Sequence, residues 1–212
     1  MKEEILSQTF MVIDFETFTP KGIPPEPIQL GLVQIDNLKI DNTKQKSWFI
    51  KPPTFAPLTT FDTEQTGIAK KDLENAKSAD EIFNIVEEIC GKQDYIFIAQ
   101  NANYEMGICK RFHKDRTQLA EAKFIDTIKL SKLAFPSEQT YKLDAMAKKF
   151  DIDIPSTRHT ALTDCIITGE LFLKLIEKLN ITKTNELLKK ACINNTPIYT
   201  QLSLFNMENK NV

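Results

Sequence analysis

The chain reads as an α/β protein. Two observations predict this class. Short apolar runs, many of them β-branched, fall at residues 9–15, 28–36, 45–51, 95–99 and 123–126. Between and after the later runs, apolar residues recur at helical spacing, as in Ile82, Phe83, Ile85, Val86 and Ile89. Three strands in succession, then strands alternating with helices, make a mixed sheet flanked by helices.

The elements follow in order. Residues 9–15 predict a first strand that ends at two carboxylates. Gly22, Pro24 and Pro25 punctuate the segment from Pro20 to Pro27, which predicts a mobile loop before the second strand at 28–36. A third strand is expected at 45–51, where Trp48 is a core residue, and an irregular Pro- and Thr-rich connection at 52–72. A helix over 79–90 leads to a buried strand at 95–99, which delivers Asn101 to Glu105 into the next helix. The basic run Lys110 to Arg116 reads as the solvated end of that helix. After the strand at 123–126, Asp126 is suited to cap a helix. Helices are then expected at 127–134, 141–149 and 160–179, and a last short one at 185–192.

Composition narrows the function classes. At 212 residues, the chain suffices for one well-buried domain and an appendage, here residues 1–180 and 181–212. No apolar stretch has membrane-spanning length, and Met1 to Leu6 lacks the apolar core of a signal peptide. The four cysteines are scattered singly, which predicts neither a zinc site nor a disulfide framework and fits a reduced, cytoplasmic setting. A net charge of −2 argues against a protein that coats nucleic acid by charge alone.

The chemistry is concentrated in two places. Asp14 and Glu16 stand two apart on a predicted strand, so their side chains share a face. Two like charges that close need a cation between them, or one must hold a proton. Hard cations such as Mg²⁺ and Mn²⁺ choose oxygen ligands. Far along the chain, His159 and Asp164 offer a base and a further carboxylate. With all five positions helical, the two side chains would point well apart, so His159 is expected on the loop before the helix and Asp164 in its first turns.

Three segments together resemble the motifs of the DEDDh 3′–5′ exonucleases: Val12 to Thr17, Ala99 to Glu105, and Arg158 to Cys165. Weaker echoes are Gly67-Ile68, Ile125-Asp126-Thr127 and Tyr141-Lys142-Leu143. The likeness runs over residues 8–179 and is greatest to the proofreading (epsilon) exonuclease subunits of bacterial DNA polymerase III and their stand-alone relatives. It implies an RNase H-like fold, a mixed five-stranded sheet flanked by helices. It also implies two divalent ions, Mg²⁺ or Mn²⁺. Asp14 would bridge both, Glu16 and Asp164 would hold the first, and Glu105 the second, through water. His159 would be the general base that takes a proton from the attacking water. Thr17, Phe18, Asn101 and Tyr104 would meet the terminal nucleotide. From the residues alone, Phe18 is equally a core residue and Tyr104 more readily one.

The second motif departs from the family pattern twice. Gln100 stands where the family has His, and Glu105 where it has Asp. The first change is expected to be mild. The second keeps the charge and adds a methylene, which a water-mediated contact can absorb; retuned activity is expected.

Near the C-terminus, Gln201, Leu202, Ser203, Leu204 and Phe205 resemble the peptide by which bacterial polymerases and repair enzymes bind the sliding clamp. Its apolar side chains suit a groove and Gln201 can fix register. The function implied is removal of 5′-mononucleotides from DNA 3′ ends in proofreading or repair, tethered to the clamp and possible beside a DNA polymerase, with no membrane partner. Two other readings stay open: an RNA-trimming exoribonuclease of the RNase T kind, and a catalytically weakened clamp or polymerase adaptor.

Overall fold

The computed structural model describes residues 4–112, 114–155 and 160–193. Its sheet starts as an antiparallel meander of β1 (Thr9–Phe18), β2 (Glu26–Asp36) and β3 (Lys39–Lys51). The β2–β3 hairpin turns on Asn37 and Leu38, with φ of 51° and 55°. Two consecutive positive φ values match the twist of the flanking strands. This turn lets β3 start at Lys39, six residues before its apolar signal. Most of β3 is exposed, with only Ile50 fully buried, so its first half carries no apolar pattern. β1 likewise runs past the carboxylates to Phe18, with a register shift between Glu16 and Thr17.

β5 (Tyr95–Ala99) pairs parallel to β1, and β6 (Lys123–Asp126) parallel to β5. Two-residue strands complete the edges: β4 (Lys77–Ser78) beside β3 and β7 (Cys192–Ile193) beside β6. Among the described residues the sheet therefore has seven strands, in the order β4-β3-β2-β1-β5-β6-β7, rather than the expected five. Two residues are too few to show a periodicity, which is why both additions escape a reading of the sequence.

Helices cover both faces. On one, α3 (Ala79–Cys90), α4 (Ala102–Arg111) and α5 (Thr117–Glu121) pack against Met11, Ile13, Phe15, Leu30, Leu32 and Phe97. On the other, α6 (Thr127–Ala134), α7 (Leu143–Lys149), α8 (Ala161–Lys178) and α9 (Thr184–Ala191) pack against Phe10, Val12, Val33, Ile35 and Ile98. Phe10 meets Phe172 of α8 edge-on, with centroids 5.0 Å apart and both rings fully buried. Each such burial contributes about 1.5–3 kcal/mol. β2 is buried at nine consecutive positions because both its faces are covered. In α9, Leu187 and Ala191 are fully buried, so it is a packing element of the sheet.

The connection at 52–72 is not irregular throughout. It holds α1 (Thr60–Thr66) and α2 (Lys70–Leu73). A capping box between Thr59 and Asp62 starts α1, and Gly67, at φ 70°, ends it. These short helices show one buried residue each, Thr66 and Leu73, so they form no apolar stripe to read. The basic run also differs from expectation. Arg116 is 8 % exposed; it donates to Asn84 Oδ1 at 3.0 Å and to both Asp80 O and Asp80 Oδ1, pinning α5 to α3. Trp48 is half-buried against the α3-side cluster.

Candidate active site

Alternation along β1 sends Phe10 and Val12 into the α8-side core and Met11, Ile13 and Phe15 into the other. Asp14 and Glu16 continue the first series, past the end of its apolar part, and stay half-buried. α8 lies across β1 and β2 and brings Asp164, its fourth residue, to the same place. Thr160 starts this helix by accepting from the Thr163 N–H. One carboxylate oxygen each from Asp14, Glu16 and Asp164 lies within 4.8 Å of the others. At that separation two unit charges repel by roughly 3–4 kcal/mol in an effective dielectric near 20. A divalent ion among them turns that repulsion into attraction.

β2 sets how close α8 can come. Gly31 pairs with Asp14 across the sheet, and a Cβ at Gly31 would sit 2.4 Å from Ala161 O and 2.8 Å from Leu162 N. Gln29, opposite Glu16, accepts the Ala161 N–H at 2.9 Å through its side-chain oxygen. Neither residue was read from the sequence as part of the site. A glycine inside a strand is, however, a recognised mark of close backbone approach.

Glu105 enters from the first turn of α4. The turn before it depends on Asn101, which sits in the left-handed region at φ 63°, a conformation Asn tolerates. The Asp126 carboxylate fastens this corner, accepting from the backbone N–H of Asn101 and, at 2.8 Å, from that of Ile128 at the start of α6. Asp126 is thus the cap its sequence context predicts, and a clamp on the second motif as well. Glu105 is 4 % exposed. Burial pushes its carboxyl up to about 8, and nearby Asp126 adds to this against a bond from Glu105's own N–H. Its Oε2 is buried with no hydrogen-bond partner among the described residues. Glu105 belongs to the same neighbourhood as the cluster. The Cys165 thiol, pushed up chiefly by burial, is raised further by Asp14, Asp164 and Glu105.

This donor set fits hard divalent cations. It offers oxygen ligands only, three of them already gathered, with a buried carboxylate beside them whose second oxygen is unbonded.

The other expected site residues are distributed as follows. Thr17 Oγ1 and Tyr104 Oη are hydrogen-bonded at 2.6 Å, and Tyr104 is 37 % exposed, so it stands at the surface of the site and not in the core. Asn101 is exposed. Phe18 is 4 % exposed and packs with Ile28, Ala56, Leu58, Ile68 and Leu73. Of its two readings, base-stacking ring or core residue, its burial is that of the core. Gln100 donates to Tyr141 O at 2.8 Å and accepts from Thr127 Oγ1, so it joins the ends of β5 and α6 to the segment before α7. The loop before β2 is tied to α4: Arg111 bonds Glu26 Oε1 at 3.0 Å and the carbonyl of Pro25. His159 and the peptide from Gln201 to Phe205 lie outside the described residues.

Among the described residues, no helix is long and apolar enough to cross a membrane. The chain is 29% identical over 205 residues to a "DNA polymerase III PolC-type" protein of Caldanaerobacter subterraneus subsp. tengcongensis, covering 93% of this chain and 14% of that protein. It is 32% identical over 183 residues to the "3'-5' exonuclease DinG" of Bacillus subtilis, covering 81% of this chain and 18% of the relative. The chain thus spans less than a fifth of the length of either relative. In fold it is similar to the nuclease domain of 3'hExo, described as a DEDDh family member, with a TM-score of 0.68 and 16% identity over 82% of this chain and 94% of that one. A family model described as "Exonuclease" (RNase_T) matches residues 11–172. By that match over most of its length, the chain belongs to the RNase_T exonuclease family, whose DEDDh members use two divalent metal ions.

Proposed function

We propose that this chain is a metal-dependent 3′–5′ exonuclease that releases 5′-mononucleotides from DNA 3′ ends. The observation that carries the reading is the convergence of Asp14, Glu16 and Asp164 within 4.8 Å. Glu105, with its unbonded buried oxygen, supports it. Asp14, Glu16 and Asp164 would hold the ions, with Glu105 a further ligand beside them. Bound there, the ions would neutralise charge at the scissile phosphate and at the leaving 3′-oxygen. His159 would accept the proton of the attacking water, a task suited to a group that titrates near neutrality. Thr17, Tyr104 and Asn101 would meet the terminal nucleotide.

DNA is the substrate favoured by the likeness to a DNA polymerase III PolC-type protein and by the clamp-like peptide 201–205. In this reading the catalytic unit runs past the expected bound at residue 180, because α9 and β7 pack with the sheet, and the peptide 201–205 forms the tether. Tethering to a sliding clamp raises local concentration at a DNA end without new DNA contacts. The setting is proofreading or repair.

The test uses 5′-labelled single-stranded DNA and the matching RNA, with Mn²⁺, Mg²⁺ or chelator, for wild type and Asp14→Ala. The expected result is a 3′-shortening DNA ladder that chelator abolishes. Asp14→Ala should slow it beyond the roughly 10–100-fold cost of altering a residue that only supports a metal ligand. Faster shortening of RNA would transfer the assignment to an exoribonuclease. Folded protein that shortens neither strand would sink the catalytic reading in favour of an adaptor.

A further inference from the structure

The third carboxylate of the cluster comes from a helix about 150 residues further along the chain than the first. Asp164 reaches Asp14 where α8 packs across the sheet, and the first turn of α8 meets the middle of β2 there.

That contact is specific. Ala161 is fully buried, and as the first residue of α8 it has an N–H with no acceptor inside the helix. Gln29, itself 8 % exposed, supplies the acceptor at 2.9 Å. Gln29 is the register partner of Glu16, and Gly31 that of Asp14. The two residues that receive α8 therefore lie directly across the sheet from the two carboxylates that Asp164 must reach. Gly31 lets the helix approach, and Gln29 fixes where along β2 it stops.

We propose that Gln29 is a positioning residue for the metal centre: its side-chain oxygen, holding the Ala161 N–H, sets the distance between Asp164 and the Asp14–Glu16 pair. The inference rests on the metal-dependent reading of the site. It explains why a polar residue stands between Ile28 and Leu30 in a strand buried on both faces.

The test measures Mn²⁺ binding by the full chain, by calorimetry and by loss of the free-ion spin-resonance signal, for wild type, Gln29→Leu, Gln29→Asn and Gln29→Glu. Thermal unfolding in chelator runs alongside as a check on folding. Asn is one methylene short and cannot reach Ala161 without moving the helix; Leu has no acceptor. Both are expected to bind Mn²⁺ roughly 10–100-fold more weakly while remaining folded. Nuclease kcat should fall with little change in KM. Gln29→Glu keeps the length and the acceptor and is expected to restore most of the affinity. Wild-type affinity in folded Gln29→Asn and Gln29→Leu would overturn the positioning role and leave the exonuclease reading intact. So would weak binding in all three variants, since the acceptor would then not be what matters. No Mn²⁺ binding by wild type would overturn both.

Discussion

Two buried or half-buried carboxylates in the same fold have opposite fates. Asp36, at the end of β2, faces the start of β1. Burial works to raise its pKa, yet it is held below its ordinary value, because Lys44 at 3.1 Å, Thr9 at 2.9 Å and Gln34 at 2.6 Å all donate to it. Glu105, on the first turn of α4, meets the same penalty with another carboxylate, Asp126, nearby, and is pushed up to about 8. Asp36 finds donors at one end of the central strands; Glu105, at the other, keeps a buried Oε2 with no hydrogen-bond partner among the described residues. A carboxylate whose charge is answered from within the chain is part of the scaffold. One whose charge is left to an outside cation is part of a site, and its cost is met only when that cation binds.

The sharpest way to break this contrast is to separate the acidic end from the helix that completes it. Gly31→Ala places a Cβ against the backbone of Ala161 and Leu162. Backbone cannot step aside as a side-chain tip can, so a loss of about 1–3 kcal/mol is expected. Urea unfolding in chelator measures this loss. Mn²⁺ affinity should drop as well, because the displaced turn carries Asp164.

The next test uses pH. Glu105 holds its proton in the folded chain up to about 8, against an ordinary value of 4.5. Between these values the folded state binds a proton that the unfolded state has lost, so stability falls as pH rises. Its contribution is fully present below pH 4.5 and is lost as pH climbs through about 8. Thermal midpoints in chelator should therefore decline over that window more steeply for wild type than for Glu105→Gln. Equal slopes would mean that Glu105 is ionised in the apo fold. Excess Mn²⁺ should flatten the wild-type curve, since an ion favours the charged carboxylate.

The smallest effect belongs to the other end. Lys44 is half exposed and bridges Asp36 and Asp41. Exposed pairs of this kind contribute little. Lys44→Met should raise the Asp36 pKa, readable by NMR titration, with a minor shift in midpoint and no change in Mn²⁺ affinity. A loss of metal binding in this variant would show that the two ends are not independent.

The sequence was most legible where periodicity is strong. The helix Ala79–Cys90 and the strands Tyr95–Ala99 and Lys123–Asp126 stand where their apolar spacing predicts. Alternation was also enough to put Asp14 and Glu16 on one face. Legibility failed for elements that carry no apolar pattern of their own and are held by what they pair with. The first half of β3 is polar and exists because the Asn37–Leu38 turn lays it along β2. β7 is two residues paired to β6 after α9 has packed. Arg116 sits in a run that reads as solvated, yet its guanidinium is buried between α3 and α5.

By itself, then, the sequence determined the α/β class and the shared face of Asp14 and Glu16, because strand alternation is a local property; Glu105 entered the candidate ligand set through the resemblance to the DEDDh exonucleases. Tertiary structure alone decided that Asp164 reaches Asp14 and Glu16, through the missing Cβ of Gly31 and the acceptor on Gln29. It alone decided that Glu105 is buried with a carboxyl oxygen unanswered. Desolvation and distance depend on which surfaces meet, and in this fold the surfaces that meet at the site are far apart along the chain.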